Sequence, residues 1–162
     1  RPWARNNSSI NFPIMRFADV LLMFAEAENE YLSTPSQAVY DAIIALRRRA
    51  GIEPGEKNLY GLTTDGLTHN LTQAEMRKVI QNERRIELAF EEHRYWDIRR
   101  WRLAEQVYAQ PIQGMYITKS QTSTTYVPQA VLNVQWDNKR YFYPIPYSEV
   151  IKNKNMVQNP NW

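Results

Sequence analysis

Two glutamates in the stretch from Glu83 to Trp101 have the spacing of a catalytic pair. Glu83 and Glu87 are one helical turn apart, which would place their Cβ atoms roughly 6 Å from each other. Hydrolysis of a glycosidic bond uses two carboxylates at a comparable separation. One hypothesis is therefore a glycoside hydrolase that uses Glu83 and Glu87.

The same stretch is rich in arginine, which favours a structural alternative. A buried carboxylate requires a cationic partner, and neither glutamate has an obvious apolar pocket of the kind that general acid catalysis uses. We expect the two glutamates to meet Arg94, Arg100 or Arg49 on neighbouring helices. The expected ion-pair network consists of Glu83, Arg84, Glu87, Arg94, Asp97 and Arg100.

Other kinds of catalytic site lack the residues that they need. The chain has no cysteine and two histidines, His69 and His93, and Phe90 stands where a Glu-x-x-His metal motif would need glutamate. No Gly-x-Ser-x-Gly turn is present and the five glycines are isolated, so a nucleophile elbow and a phosphate-binding loop are excluded. We therefore expect no enzymatic activity, no catalytic residue, no metal and no cofactor.

The aromatic content suggests a different chemistry, the binding of sugars. Aromatic residues make up 12% of the chain, and many lie in its polar second half. The faces of Trp and Tyr pack against sugar rings, while amides and charged groups bind the hydroxyls. The structural alternative is that each ring seals a loop-rich region against the helices. The candidate substrate-binding residues are Tyr126, Trp136, Asp137, Asn138, Lys139 and Arg140.

Composition limits the remaining classes of protein. With 162 residues, 43% apolar and 23% charged, the chain has the length and character of one globular domain. No apolar run reaches the roughly 18 residues that a membrane-spanning helix needs. The net charge of +3 would permit nucleic-acid binding, but the basic residues between Glu75 and Glu105 are closely matched by acids. We expect internal pairing there and no nucleic-acid partner.

A set of helices would position these candidate residues. The first is predicted from about Pro13 to Leu32, because apolar side chains recur at helical spacing. One row of this helix holds Phe17, Leu21, Phe24, Glu28 and Tyr31. A neighbouring row of smaller side chains holds Ala18, Leu22, Ala25 and Asn29. We expect other parts of the protein to cover the helix on both of these sides.

A second helix is predicted to begin within Thr34-Pro35-Ser36-Gln37, with Thr34 as its cap. Gly51 supplies the left-handed residue that ends this helix. Two antiparallel helices with small residues between them resemble one tetratricopeptide unit, which needs neighbours to bury both of its faces. The predicted buried stripe of the second helix holds Val39, Ile43, Leu46 and Ala50.

A surface loop is predicted from Ile52 to Leu71, and the third helix follows it. Thr72 and Glu75 have the spacing of a capping box at the start of that helix. The helical phase changes around Glu92, and a further helix is predicted from about Tyr95 to Ala109. The predicted buried stripe of the third helix holds Met76, Val79, Glu83, Ile86 and Phe90.

The chain after Pro111 is predicted to be rich in loops. A turn at Asp137 that leads into a short strand at 141–143 predicts one small β-hairpin, which the following prolines prevent from extending. The predicted fold is mainly α. It consists of a helical core over about 13–110, followed by a loop-rich aromatic segment and C-terminal coil over about 111–162.

Three ordered blocks of the sequence resemble the motifs of one family. FPIMRFADVLLMFAEA at 12–27 is similar to a "PI-R-A-E-L-L-AEA" helix. ERRIELAFE at 83–91, with RYWDIRRW at 94–101, is similar to the most specific signature of the same family. YPIP at 143–146 and QNP at 158–160 match its closing "PIP" and "QNPGY" segments. Together these blocks resemble the SusD/RagB proteins of Gram-negative glycan-uptake systems.

Three positions depart from the family pattern. Glu92 stands in place of a usual glycine at the helix break, and Asn161 stands in place of a usual glycine before the final aromatic residue. Lys154 stands in place of a usual proline. These departures bear on the geometry of local turns.

The resemblance implies a SusD-like α-α superhelix in a lipid-anchored protein exposed on the outer membrane of a Gram-negative bacterium. Such a protein binds oligosaccharides or other nutrients without catalysis and delivers them to a SusC-like TonB-dependent transporter. Family members are several times longer, so the resemblance implies a C-terminal portion that lacks the N-terminal lipid anchor. A second hypothesis is that this portion is a scaffold for the earlier part and the transporter, without ligand binding of its own.

Overall fold

The computed structural model describes residues 13–55, 59–62 and 71–162. Phe12, His69 and most of the loop predicted from Ile52 to Leu71 lie outside the described residues. The chain forms two compact units, one ending at Arg94 and the other beginning at Tyr95. Among the described helices, none is both long enough and apolar enough to cross a lipid bilayer.

The described part of the first unit contains α1 at Phe17–Tyr31, α2 at Gln37–Arg49 and α3 at Gln73–Glu87. Helix α1 contacts both of the others, and α2 also contacts α3. The prediction of a mainly helical fold with an α1 and α2 pair is confirmed. The buried core includes Leu22, Ala25, Val39, Ile43, Leu46, Met76 and Ile80.

Only one of the two rows of α1 is buried. The predicted cover of the row with the larger side chains is not found among the described residues. The small row is buried through Ala18, Leu22, Ala25 and Asn29. In the other row, Phe17 is 74% exposed and Tyr31 is 85% exposed. Small side chains let helix backbones approach closely, so α2 and α3 pack on that row. The aromatic row remains uncovered by the described residues.

The predicted ends of α2 and the predicted start of α3 can be compared with the structure. The predicted cap at Thr34 is wrong: Ser36 precedes α2 in an extended conformation and makes no capping hydrogen bond with its side chain. Its hydroxyl lies 3.3 Å from the Glu28 carboxylate instead. Gly51, at φ +74°, ends α2 as predicted. The capping box of Thr72 and Glu75 at the start of α3 is also confirmed.

The buried face of α3 is rotated relative to the prediction. Met76, Ile80 and Glu83 are buried, whereas Ile86 is exposed. Glu87 points towards the buried face, with its side chain 10% exposed. Ile86 is one residue earlier, so its side chain is rotated by roughly 100° about the helix axis, away from that face. Helix α3 ends at Glu87, so the exposed Phe90 lies beyond it in the turn that follows. The predicted burial of Ile86 and Phe90 is therefore wrong.

The single helix predicted from Tyr95 to Ala109 is divided in two. Helix α4 spans His93–Arg100 and α5 spans Ala104–Tyr108. Arg102 lies between them at φ +59°, a left-handed conformation that interrupts a right-handed helix. Residues 101–103 separate the two helices, so the side chains of α4 and α5 do not continue along one helical face.

A β-hairpin is present, but not at the predicted position. Strands β1 at Ile112–Lys119 and β2 at Thr124–Leu132 pair antiparallel. Nearly all of their side chains are exposed, so neither face produces the alternation of apolar and polar residues that reveals a strand. At the predicted position, Asn138–Tyr141 forms a 3₁₀ helix, because the Asp137 carboxylate accepts a hydrogen bond from the Lys139 backbone.

The remaining C-terminal residues contain a short helix, α6, at Tyr147–Val150. Residues 151–162 have turns but no further helix or strand, as predicted. Two of the departures from the family pattern occupy left-handed backbone, Glu92 at φ +65° and Asn161 at φ +66°. Glycine adopts this conformation without steric cost, which accounts for the glycines of the family pattern.

Candidate ligand-binding site

The two glutamates of the hydrolase hypothesis are both bound by arginines. Glu83 Oε2 accepts hydrogen bonds from Arg47 Nη2 at 2.8 Å and Nε at 3.1 Å. Glu87 Oε1 accepts from Arg49 Nη2 at 2.6 Å and from Arg16 Nη1 at 3.0 Å. Arg49 was among the expected partners. Arg16 and Arg47, which are 71 and 36 residues from their glutamates in the sequence, were not.

Arg16 also binds the next acid along the chain. Its Nε and Nη2 donate to the two oxygens of Glu91 at 2.8 and 2.7 Å, which is the forked geometry that suits a carboxylate. The hydrogen bond from Arg16 lowers the pKa of Glu91 below its ordinary value. The two glutamates in turn raise the pKa of Arg16. Arg16 thus ties the start of α1 to the end of α3.

Of the other predicted network residues, Arg84, Asp97 and Arg100 form ion pairs. Arg84 Nη1 donates to Asp19 Oδ1 at 2.9 Å, and both side chains are 5% exposed. Arg100 Nε donates to the buried Asp97 at 2.9 Å within α4. Arg94 lies half-buried on α4. Asp19 is a buried acid that the sequence reasoning missed, although it follows Ala18 of the small row of α1.

The first unit therefore pairs its acids Asp19, Glu83 and Glu87 with arginines. Glycoside hydrolysis needs two carboxylates that face a sugar, and here guanidinium groups occupy both Glu83 and Glu87. Among residues 13–55, 59–62 and 71–162, no group of three acids, histidines or cysteines is placed to hold a metal ion. The geometry favours a structural role for this cluster.

The predicted sugar-binding residues lie in two places in the second unit. Trp136 stacks on Tyr108 with ring centroids 5.4 Å apart, and its Nε1 donates to Asn138 at 3.1 Å. Arg140 Nη1 donates to the Gln135 carbonyl at 3.1 Å, so residues 136–140 form one compact turn. Tyr126 lies on β2, opposite Ile117, rather than in that turn.

A cleft of about 520 Å³ opens beside this turn, within the second unit. Its volume lies in the range of small-molecule binding sites. Sequence reasoning missed most of this cleft, because α4 and the 3₁₀ helix that supply its walls are some forty residues apart. Its lining consists of the rings of Trp96, Tyr141, Phe142 and Tyr143 and the side chains of Arg99, Arg100 and Arg102.

Arg99 lies among the rings that support this cleft. Its guanidinium carbon is 4.2 Å from the centroid of Tyr95, 5.1 Å from that of Tyr143 and 5.6 Å from that of Trp136. Its Nη2 donates to the Arg140 carbonyl. Its Nε and Nη1 are buried without a hydrogen-bond partner. The cation is therefore held mainly by aromatic faces.

Two tyrosine hydroxyls join beside Arg99. The hydroxyls of Tyr95 and Tyr143 share a hydrogen bond. That bond raises the pKa of Tyr95 and lowers the pKa of Tyr143. This contact joins α4 to the segment that carries two rings of the cleft wall.

The C-terminal tail fixes the cleft wall through its backbone. The Gln158 side chain donates to the Ile145 carbonyl and accepts from the Ile145 amide, both at 2.8 Å. Trp162 Nε1 donates to the Phe142 carbonyl at 2.9 Å. Asn159 Nδ2 donates to the Tyr143 carbonyl. The two closing motifs of the sequence therefore bind each other and hold residues 142–145 in place.

Comparison with known proteins agrees with this architecture. The model of the SusD family matches residues 1–162. SusD-like protein P2 of Formosa agariphila is 35% identical over 152 residues, which are 94% of this chain and 26% of that protein. A SusD-like protein of Bacteroides fragilis has a TM-score of 0.71 at 24% identity, covering 92% of this chain and 25% of its own.

A second solved structure gives the same result. The SusD homolog of Bacteroides thetaiotaomicron has a TM-score of 0.58 at 28% identity, covering 91% of this chain and 26% of its own. The chain belongs to the SusD family. It spans about a quarter of the length of the relatives that it matches.

Proposed function

We propose that the protein binds glycans or another nutrient at the cell surface and delivers them to a SusC-like TonB-dependent transporter. Membership of the SusD family supports a role in nutrient binding within a SusC and SusD system. The observation that carries the proposal is the cleft in the second unit, where exposed rings of Trp96, Phe142 and Tyr143 stand beside hydrogen-bond donors. Such rings pack against the C–H faces of sugars.

The proposal treats binding as non-catalytic. The acids of the first unit are engaged by arginines, and the cleft is lined by rings and guanidinium groups rather than by carboxylates. The turn at 136–140 belongs to the proposed site as a support, because the Arg140 carbonyl accepts a hydrogen bond from Arg99. Tyr126 is proposed as a more distant contact for a longer ligand.

The proposal also includes the cellular setting. A lipid anchor in another part of the whole protein would hold it on the outer membrane, where the transporter lies. Co-expression of the whole protein with a SusC-like transporter encoded beside it should give one complex by size-exclusion chromatography. Separate elution of the two proteins at micromolar concentration would contradict the proposed partnership.

The binding site is tested by removing one exposed ring. Phe142→Ala should weaken glycan binding by about tenfold, because stacking of one aromatic ring contributes on the order of 1 kcal/mol or more. The measurement is calorimetric titration of the whole protein with a panel of neutral and acidic oligosaccharides. Tyr147→Ala is the control, since Tyr147 is an exposed aromatic residue of the same unit that lies on α6 and does not line the cleft. Unchanged affinity in Phe142→Ala would remove the cleft from the proposal.

The scaffold hypothesis remains the second candidate function for this portion. It is supported by the arginine and glutamate bonds that tie α1, α2 and α3 together. The same oligosaccharides should be titrated against the 162-residue chain and against the whole protein. Binding by the whole protein alone would favour the scaffold for this portion.

A further inference from the structure

We infer that the cleft takes an acidic sugar residue, one that carries a carboxylate or a sulfate ester. This inference rests on the proposed function and specifies the ligand class of the same site. Its basis is the difference between the arginines of the two units. The chemistry shared by the two acidic groups is a planar or tetrahedral set of anionic oxygens, which a guanidinium binds with paired hydrogen bonds.

The positive charge of the chain is concentrated in the second unit. Residues 95–162 contain eight Lys or Arg and four Asp or Glu. Residues 1–94 contain the other twelve basic and thirteen acidic residues. The net charge of +3 therefore arises from +4 in the second unit and −1 in the first. A ligand of the second unit meets a basic surface.

Five arginines of the first unit are paired with carboxylates. Arg16 binds Glu87 and Glu91, and Arg47 binds Glu83. Arg49, Arg77 and Arg84 have acidic partners in the same way. A guanidinium that is bonded to a carboxylate forms a neutral pair, which attracts an anionic ligand only weakly. These arginines are therefore not available as an anion site.

The arginines of the cleft have a different environment. Among the described residues, no carboxylate forms an ion pair with Arg99 or Arg102. The guanidinium of Arg102 lies 4.4 Å from the Tyr141 ring centroid, and Arg99 lies among three rings. An aromatic face attracts a cation but does not neutralise it. Arg100, in contrast, is bonded to Asp97.

The exposed position of Arg102 identifies it as the contact for the ligand. Arg102 lines the cleft and its side chain is exposed, whereas Arg99 has buried nitrogen atoms. Its left-handed backbone conformation places it between α4 and α5, at the interruption of the helix. The structure thus assigns Arg102 to the anionic group and Arg99 to the surrounding positive field. The neighbouring rings would hold the sugar itself.

Matched pairs of oligosaccharides test the charge preference. Tetragalacturonate is compared with its methyl ester, and a carrageenan oligosaccharide with its desulfated form, by titration against the whole protein. We expect the charged member of at least one pair to bind about tenfold more tightly, as one charge-assisted hydrogen bond predicts. The difference should shrink in 0.5 M NaCl, because salt screens exposed charges. The pair that responds distinguishes a carboxylate from a sulfate.

Variants of one residue locate the effect. Arg102→Gln should lower the affinity for the charged member about tenfold and leave the neutral member unchanged. Arg102→Lys should retain more of the affinity, because it keeps the charge. Lys119→Gln is the control, since it removes the same charge from the exposed end of β1 in the same unit.

The outcomes separate this inference from the proposed function. Equal binding of both members of each pair, or an Arg102→Gln variant that binds them as the native protein does, overturns the acidic-sugar inference and leaves nutrient binding intact. Binding of no oligosaccharide, charged or neutral, overturns both. Tighter binding of a twelve-nucleotide oligothymidylate than of any glycan also overturns the inference, because rings and arginines can bind single strands.

Discussion

At the scale of a residue, Glu83 has the spacing from Glu87 that a catalytic pair would have, but it forms a structural ion pair instead. The carboxylate is on a buried helix face and is only 7% exposed, so it must have a cationic partner. Arg47 provides that partner and also donates to the Tyr60 carbonyl at 2.6 Å. The pair thus joins α2, α3 and the residues after α2.

Glu83→Gln should destabilise the protein by about 2 to 4 kcal/mol, because it leaves the Arg47 charge without its carboxylate. Thermal or urea unfolding measures the loss. Glu30→Gln is the control: Glu30 pairs with Arg77 at 2.6 Å, but both side chains are about 40% exposed, so the change should cost under about 1 kcal/mol. Equal losses in the two variants would contradict the structural role of Glu83.

Glu91 should contribute to the sensitivity of the fold to acid. The hydrogen bond from Arg16 lowers the pKa of Glu91 from its ordinary value of 4.5. A carboxyl with a lowered pKa in the folded state stabilises the protein fully above the ordinary value, and this stabilisation is lost as the pH falls through the lowered pKa. The melting temperature should therefore decline below about pH 4.5.

Glu91→Gln should make that decline shallower, because the amide has no charge to lose. Melting temperatures between pH 3 and pH 7 in roughly half-unit steps would show the change of slope. The exposed neighbour Glu92 offers a control with the same change of charge. A native slope in Glu91→Gln would show that the Arg16 pair makes no contribution.

At the scale of elements, local signals located the first three helices but did not indicate their contacts. The capping box of Thr72 and the left-handed Gly51 depend on neighbours within a few residues, so the sequence predicted both. The pattern of α1 predicts cover on both of its rows, because periodicity identifies two faces without indicating which one another helix covers. The hairpin was missed because its exposed strands have no buried face.

The candidate site was less predictable for the same reason. Composition predicts residues 136–140 as binding residues, but their neighbour Arg99 is on α4 and the fixing contacts come from the tail. Gln158 meets Ile145 across 13 residues and Arg99 meets Arg140 across 41. No periodic pattern records such distances, so the cleft could be described only from the folded chain.

The turn between α3 and α4 contains a residue with a strained backbone. Glu92 has φ +65°, where a side chain is disfavoured and glycine is not. Glu92→Gly should therefore stabilise the protein by about 1 kcal/mol. Arg85→Gly, on an exposed position inside α3, should instead destabilise it by about 0.8 kcal/mol. Urea unfolding distinguishes the signs, and a destabilised Glu92→Gly would contradict the strain.

At the scale of the whole molecule, the uncovered face of α1 has a physical consequence. Phe17, Phe24 and Tyr31 share one side of the helix and are all substantially exposed. An apolar surface of this kind favours association in water. The relatives that the chain matches are about four times as long, and in them further chain is available to cover the corresponding face.

The 162-residue chain alone should therefore associate as its concentration rises. Phe17→Gln combined with Tyr31→Gln should reduce that association, because both changes remove exposed apolar surface. Sedimentation velocity at several concentrations measures the effect. Ile151→Gln removes an exposed apolar side chain near α6 and serves as the control. Association that is unchanged by the double substitution would show that another surface is responsible.

The hairpin offers a route to the cell biology of the protein. Its tip, Ser120–Ser123, is closed by a hydrogen bond from the Ser120 amide to the Ser123 carbonyl at 2.8 Å, and the side chains around it are exposed. An epitope inserted after Gln121 would displace no core residue, so the melting temperature should stay the same. Antibody labelling of intact cells would then report directly whether this part of the protein faces the medium.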